Sequence, residues 1–227
     1  ALLSVKTAWL KKHYPAEFMA ALINSYLGAT GKVAAYVQFC RRNGIPVLAP
    51  LINHSDVRFI VDHADGQKGI RFGLNAIKSL GEKAAQHIVM ERLQHGPYRD
   101  IFDFCSRVDS SSVNKRAVEA LIKAGAFDGL GGSRIQCLQV YEALMDAQAK
   151  SRRGQNKNQL SLFEMAMGDQ QLNQRIAFPE VEEYPQSTLL GMEKEVAGIY
   201  ITGHPLDAYA DTLSKLSWSS AALEELA

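Results

Sequence analysis

The sequence predicts a mainly α-helical chain interrupted by one small β-hairpin, and three observations lead there. Apolar residues recur at helical spacing through most of residues 2–150. Glycines and prolines cut that pattern at helix-length intervals. Only two short runs, Arg58-Phe59-Ile60-Val61 and Gly69-Ile70-Arg71-Phe72, have a β-prone composition, and they flank the turn-forming pair Asp65-Gly66. Of the 227 residues 47% are hydrophobic and 22% charged, so most of the chain can bury a core and wholesale disorder is excluded.

Each element has a local reason. Residues 2–14 are apolar at helical spacing, and Pro15 suits the first turn of a second helix over 16–27, which Gly28 ends. Thr30 is expected to cap a third helix over 32–43, with Gly44 as its left-handed stop and Val33, Tyr36, Val37 and Cys40 as its apolar stripe. Two prolines force residues 45–50 to run extended. Beyond the hairpin, a short helix near 74–78 precedes a longer one over 82–93 that Gly96-Pro97 stops. A short helix starts at Ile101. Asn114 is placed to cap the segment Lys115–Lys123, which Gly125 breaks, and Ser133 to cap a long helix over 134–150. Residues 151–175 open with SRRGQNKNQ, polar throughout, and are expected to form a flexible linker. A last helix is expected over 189–196.

Charge is unevenly divided. Residues 1–158 hold 22 Lys+Arg against 13 Asp+Glu, and residues 159–227 hold 3 against 11, so a basic body of +9 is joined to an acidic tail of −8. A basic body points to a polyanionic partner, although solvated helix faces give the same count. No run approaches the ~18 apolar residues of a membrane-spanning helix. The chain opens in helix-like sequence without an initiator Met or a signal peptide, as though cut from a longer one. Cys40, Cys105 and Cys137 lie far apart, with no CxxC pair and no even count, so a reducing, cytoplasmic setting is expected.

Two segments point to a phosphate ligand. Residues 77–85 (IKSLGEKAA) resemble a helix-hairpin-helix motif, in which backbone N–H groups of a tight turn and the N-terminus of the second helix form a positive pocket for phosphate. Gly81 would let a backbone approach closely, Lys78 and Lys83 would add charge, and Ala84 and Ala85 would let the helices pack tightly. Ser79 stands where the motif usually has its first glycine. A second copy is read from helix 117–123, hairpin Ala124-Gly125-Ala126-Phe127 and the helix from Arg134, ringed by Lys115, Arg116, Lys123 and Arg134. A lone glycine between helices is more often a plain turn, and the doubling with cations around both argues for the motif. Such a pair would hold sugar–phosphate backbone rather than read bases, so binding would be non-specific and salt-sensitive.

Within the polar linker, Gln159-Leu160-Ser161-Leu162-Phe163 is an apolar island. It resembles the pentapeptide by which bacterial proteins dock on the ring-shaped sliding clamp. An extended segment would offer Leu162 and Phe163 to an apolar pocket while the Gln159 amide bonds at its rim. A chance occurrence of Gln-x-x-Leu-Phe is expected roughly a few times in a hundred chains of this length.

The two features occur in the order seen in the alpha subunits of bacterial DNA polymerase III. His13-Tyr14-Pro15-Ala16-Glu17-Phe18-Met19 resembles the end of their fingers region. Ile70-Arg71-Phe72-Gly73-Leu74, Phe102-Asp103-Phe104-Cys105, Asn114-Lys115-Arg116 and Lys123-Ala124-Gly125-Ala126-Phe127-Asp128 resemble their helix-hairpin-helix region. Glu193-Lys194-Glu195 and Gly203-His204-Pro205-Leu206 resemble the approach to their OB domain. The resemblance implies a division into the end of the fingers (1–50), an extended segment with the hairpin (51–73), a tandem helix-hairpin-helix domain (74–150), a linker with the clamp peptide (151–175) and an acidic segment leading to the OB domain (176–227).

It further implies duplex DNA, the sliding clamp (the beta subunit) and other holoenzyme subunits as partners. The parent polypeptide would be a DNA-directed DNA polymerase using Mg²⁺ on palm carboxylates that lie outside this segment. No catalytic residue and no cofactor is therefore expected here. Asp62 and Asp65 read as turn formers, and His54, His63, His87, His95 and His204 as surface or capping residues. An error-prone paralogue or a non-catalytic repair adaptor would carry a similar segment.

Overall fold

The computed structural model describes residues 2–64, 66–155, 177–213 and 215. The fold is mainly α with a small sheet. Helices α1 (Leu2–His13), α2 (Pro15–Asn24) and α3 (Thr30–Arg42) come first, α2 opening on Pro15 in its first turn as expected. Thr30 is not the cap of α3: the helix begins one residue earlier than a Thr30 cap allows, with Ala29 at the N-cap and no side chain accepting there. Val33, Val37 and Cys40 are buried along the anticipated stripe, with Tyr36 half-buried beside them.

The hairpin is part of a larger sheet. Strands β2 (Ile60–Ala64) and β3 (Gln67–Arg71) pair antiparallel, with Ala64 opposite Gln67 across the turn. A two-residue strand β1 (Val47–Leu48) adds to the other edge of β3 in parallel, Val47 opposite Ile70, giving the order β1-β3-β2. The prolines that forbid helix leave Val47 and Leu48 extended between them, and the Pro46 and Leu48 carbonyls accept from Ile70 and Phe72 at 2.8 and 3.0 Å. Parallel pairing is non-local, so nothing in the residues around Val47 announces it. Asp62 is not a turn former. Its carboxylate receives the buried Arg71 guanidinium at 2.8 Å, and although burial pushes its pKa up, the Arg71 contacts hold it below the usual carboxylate range.

A 3-10 turn over Leu74–Ala76 leads to α4 (Glu82–His95), α5 (Ile101–Arg107), α6 (Lys115–Lys123) and α7 (Arg134–Gln155). Helix α7 therefore runs through residues 151–155, which the sequence reading placed in the linker. Their polarity bars them from a core but not from helix, because Arg and Gln are good helix formers. Helices α8 (Gln186–Ala197) and α9 (Ala210–Leu213) follow. One core runs through the molecule. Phe59 meets Phe72 edge-on at 4.7 Å beneath α2, and Phe104 on α5 touches both Tyr98 and Phe127 at 5.0 Å, tying α5 to the turn after α6. Cys40, Cys105 and Cys137 are free thiols in this core, and burial pushes the last two up to about 12.

Candidate nucleic-acid interface

The first hairpin is built around a left-handed residue. Ile77 and Leu80 are buried, and the Leu80 N–H donates to the Ile77 carbonyl at 3.2 Å, closing the turn. Ser79 lies between them at φ +66°, the one non-glycine residue with positive φ among the described residues. The serine thus takes the backbone state a glycine would enter more readily, and the turn closes anyway. Gly81 then caps α4 in an extended conformation, without a side-chain acceptor for the helix N–H groups. A Cβ added there would meet nothing within 4 Å. The chain's own packing therefore does not demand a glycine, and Gly81, Glu82 and Lys83 at the positive end of α4 are all exposed. Buried Ala84 and Ala85 seat the helix, while Lys78, Ser79, Gly81 and Lys83 are exposed. Glu82 is also there, turned toward Arg58 at 3.3 Å.

The second unit uses its glycine differently. Asn114 caps α6 as the sequence predicts, accepting from the Ala117 N–H at 3.0 Å. At the other end the Ala126 and Gly125 N–H groups return to the Leu121 and Ile122 carbonyls, both at 2.9 Å, with Gly125 at φ +80°. This is the glycine-terminated helix end known as a Schellman motif. A Cβ on Gly125 would press into the Arg134 guanidinium and lie 2.7 Å from the Asp128 carboxylate. No room for a phosphate exists over this glycine.

Two of the residues assigned to DNA from sequence thus occupy other positions. Arg134 does not ring the hairpin in solvent. Its side chain is 6% exposed and lies across Gly125, bonded to Asp128 at 2.6 Å, to Glu193 at 3.1 Å and to the Lys123 carbonyl at 3.2 Å. Burial disfavours its charge, and the two carboxylates more than offset that, holding its pKa above the ordinary arginine value. Gly125 is buried under it. The physical reason is the pairing itself: a basic residue whose partners are six and 59 positions away looks solvated in sequence and is sequestered in space.

The N-terminus of α7 is also filled. Ser133 Oγ accepts from the Gln136 N–H at 3.3 Å while Gln136 Oε1 accepts from the Ser133 N–H at 2.9 Å, a reciprocal cap. The Glu183 carboxylate takes the N–H groups of Arg134 and Ile135 at 2.6 and 3.2 Å.

The acidic segment folds back on the basic body through three glutamates. Besides Glu183, Glu193 is fully buried and accepts from Arg134, from the Ile201 and Thr202 N–H groups and from the Thr202 hydroxyl. Glu195 pairs with Lys123 at 3.0 Å, and its backbone carbonyl receives the Lys78 ammonium at 2.7 Å. Lys123 is bridged by Glu119 as well, and this hydrogen bond above all raises its pKa, with Glu195 adding to it. Lys115 pairs with Asp146 at 2.8 Å across α6 and α7, and Arg116 is exposed.

Reading the sequence missed the part these glutamates play. A signal for Glu193 was present: it falls on the buried stripe Leu190, Glu193, Val196 of α8, and a carboxylate on such a stripe requires a buried cation. The clamp-like residues Gln159, Leu160, Ser161, Leu162 and Phe163, and Asp65, lie outside the described residues. His87 and His204 accept backbone N–H groups, and His95 pairs with Glu91. Among the described residues no group of His, Cys, Asp or Glu is placed to hold a metal, and no helix is long and apolar enough to cross a membrane.

Residues 44–137 match the family model described as a helix-hairpin-helix motif, a span that begins before β1 and ends just inside α7. The whole chain aligns with proteins named DNA polymerase III subunit alpha. The one from Xylella fastidiosa strain Temecula1 is 41% identical and the one from Vibrio cholerae 38%, each over 100% of this chain and 19% of the relative. That of Pseudomonas aeruginosa is 37% identical over 92% of the chain and 19% of its own length. The chain is homologous to one segment of DNA polymerase III alpha subunits. It spans about a fifth of the length of these curated relatives, and within the segment lies the helix-hairpin-helix motif.

Proposed function

We propose that this chain is the part of a DNA polymerase III alpha subunit that holds duplex DNA by its backbone, chiefly through the first hairpin. A single observation carries this reading: the N-terminus of α4 is exposed and uncapped by any side chain, with Lys83 beside it. Such an end presents backbone N–H groups and a positive dipole to a phosphate. Lys78 and Arg116 extend the charge, and Lys115 and Lys123 contribute from behind their ion pairs. Nucleotidyl transfer by the parent DNA-directed polymerase, with its Mg²⁺, belongs to the rest of the polypeptide. The peptide Gln159 to Phe163 tethers that polypeptide to the sliding clamp, and the tether raises enzyme concentration at the primer end without tight DNA binding. Other holoenzyme subunits are the further partners, and the cytoplasm is the compartment. The division at residues 50, 73, 150 and 175 into fingers end, hairpin segment, DNA-binding unit, linker and acidic segment belongs to the same proposal.

The DNA part is tested by titrating the chain with duplexes of unrelated sequence at several salt concentrations. Lys83→Ala should weaken all of them alike and lower the slope of log affinity against log salt by about one. A variant that binds as tightly, with the same slope, contradicts it. The clamp part is tested separately in the full-length subunit, where Leu162→Ala with Phe163→Ala should abolish clamp retention in a pull-down and leave duplex affinity intact.

A further inference from the structure

The two hairpins meet at one residue. Glu195 reaches Lys123 of the second unit with its carboxylate and Lys78 of the first with its backbone carbonyl, so the two ammonium groups lie within the span of a single amino acid. Lys123 is held in place: its side chain is only 19% exposed and Glu119 grips it at 2.9 Å. Glu195 is the loose member, its side chain 62% exposed. It sits in the last turn of α8, where a negative charge opposes the helix dipole, so Lys123 and not the helix holds it there. With both Glu119 and Glu195 on Lys123, two carboxylates face one ammonium, and that arrangement repels a phosphate.

We propose that Lys78 and Lys123 form one phosphate seat shared by the two hairpins, and that the Glu195 carboxylate occupies it as an internal stand-in until a DNA phosphate replaces it. The inference rests on the DNA-binding reading above and deepens it. The exchange conserves charge: one anion leaves Lys123 and another arrives, while Lys78, bonded to a backbone carbonyl, needs only to rotate its ammonium toward the newcomer. An exposed ion pair contributes little to stability, so the carboxylate can leave without unfolding anything. Glu193, two residues earlier, stays buried on Arg134, and Val196 and Ala197 after it are buried too, so α8 keeps its place while the Glu195 side chain swings out. Until the exchange, Lys123 is neutralised at this point by Glu119 and Glu195.

The test is fluorescence anisotropy of a labelled duplex with the 227-residue chain at low salt, with helicity of each variant checked by circular dichroism. Glu195→Gln should tighten binding about three- to fivefold, and the gain should vanish in the Lys123→Gln background. Glu182→Gln, an exposed acid elsewhere on the same segment, should change nothing. An equal gain in the Lys123→Gln background, an equal gain from Glu182→Gln, or no gain at all overturns the stand-in role. If Lys83→Ala weakens binding while Glu195→Gln does nothing, the first hairpin still holds DNA and only the shared seat falls. If Lys83→Ala has no effect, the first-hairpin reading fails and the shared seat fails with it.

Discussion

The two hairpins start from the same ingredients, a glycine, flanking cations and a following helix, and end with opposite surfaces. In the first, Gly81 is exposed, a side chain added there would meet nothing within 4 Å, and no side chain caps the N-terminus of α4. In the second, Gly125 is pressed beneath Arg134, and the N-terminus of α7 is capped by Ser133, Gln136 and Glu183. One glycine leaves room for something outside the chain, and the other makes room for the chain's own side chain. A motif read from residue types alone cannot separate these cases, because the difference is made by the pairing of Arg134 with Asp128 and by Glu183 and Glu193, which lie far outside the pattern.

The most severe way to disturb the comparison is to break the buried ion group of the second unit. Glu193→Ala leaves the Arg134 guanidinium in the interior with Asp128 alone and removes the acceptor for the Ile201 and Thr202 N–H groups. It should cost about 3–5 kcal/mol in chemical denaturation. Next comes the paired substitution that sets one glycine against the other. Gly125→Ala puts a side chain at positive φ and into Arg134, and should cost about 2–3 kcal/mol. Gly81→Ala should cost less than about 1 kcal/mol, the difference between glycine and alanine at an N-cap, yet weaken duplex binding in the same anisotropy measurement. If the two glycines prove equally costly to stability, the contrast between an open and a filled hairpin is wrong. The smallest effect is expected at Ser79. Replacing it with glycine removes a left-handed serine worth about 1 kcal/mol of strain and raises unfolded-state entropy by somewhat less. The midpoint of thermal unfolding should therefore rise slightly.

What could be read in the sequence was whatever local chemistry decides. Asn114 before α6, Gly125 after it, Ser133 before α7 and the alternation around Asp65-Gly66 each act over a few residues, and the helices and the hairpin fall where those signals put them. The sheet's third strand was hidden because Val47 pairs with a residue more than twenty positions on. Arg134 was misread because its decisive partner, Glu193, is 59 residues away. The exposed end of α4 was legible from Gly81 and Lys83. That the corresponding end of α7 is closed was not, since Glu183 reaches it from 49 positions further along the chain.

The clasp between Arg134 and Glu193 has a consequence for the order of events on the ribosome. When residue 134 leaves the exit tunnel, the carboxylate that completes its surroundings has yet to be translated, and so have Tyr200 and Ile201, whose carbonyls take the Arg41 guanidinium of α3. The nascent helices can form and pack on one another early, but the surroundings of Arg134 and Arg41 are completed only when the stretch 193–202 emerges. A protein truncated at residue 150 would be kept at that waiting stage, with Arg134 facing Asp128 and no second anion.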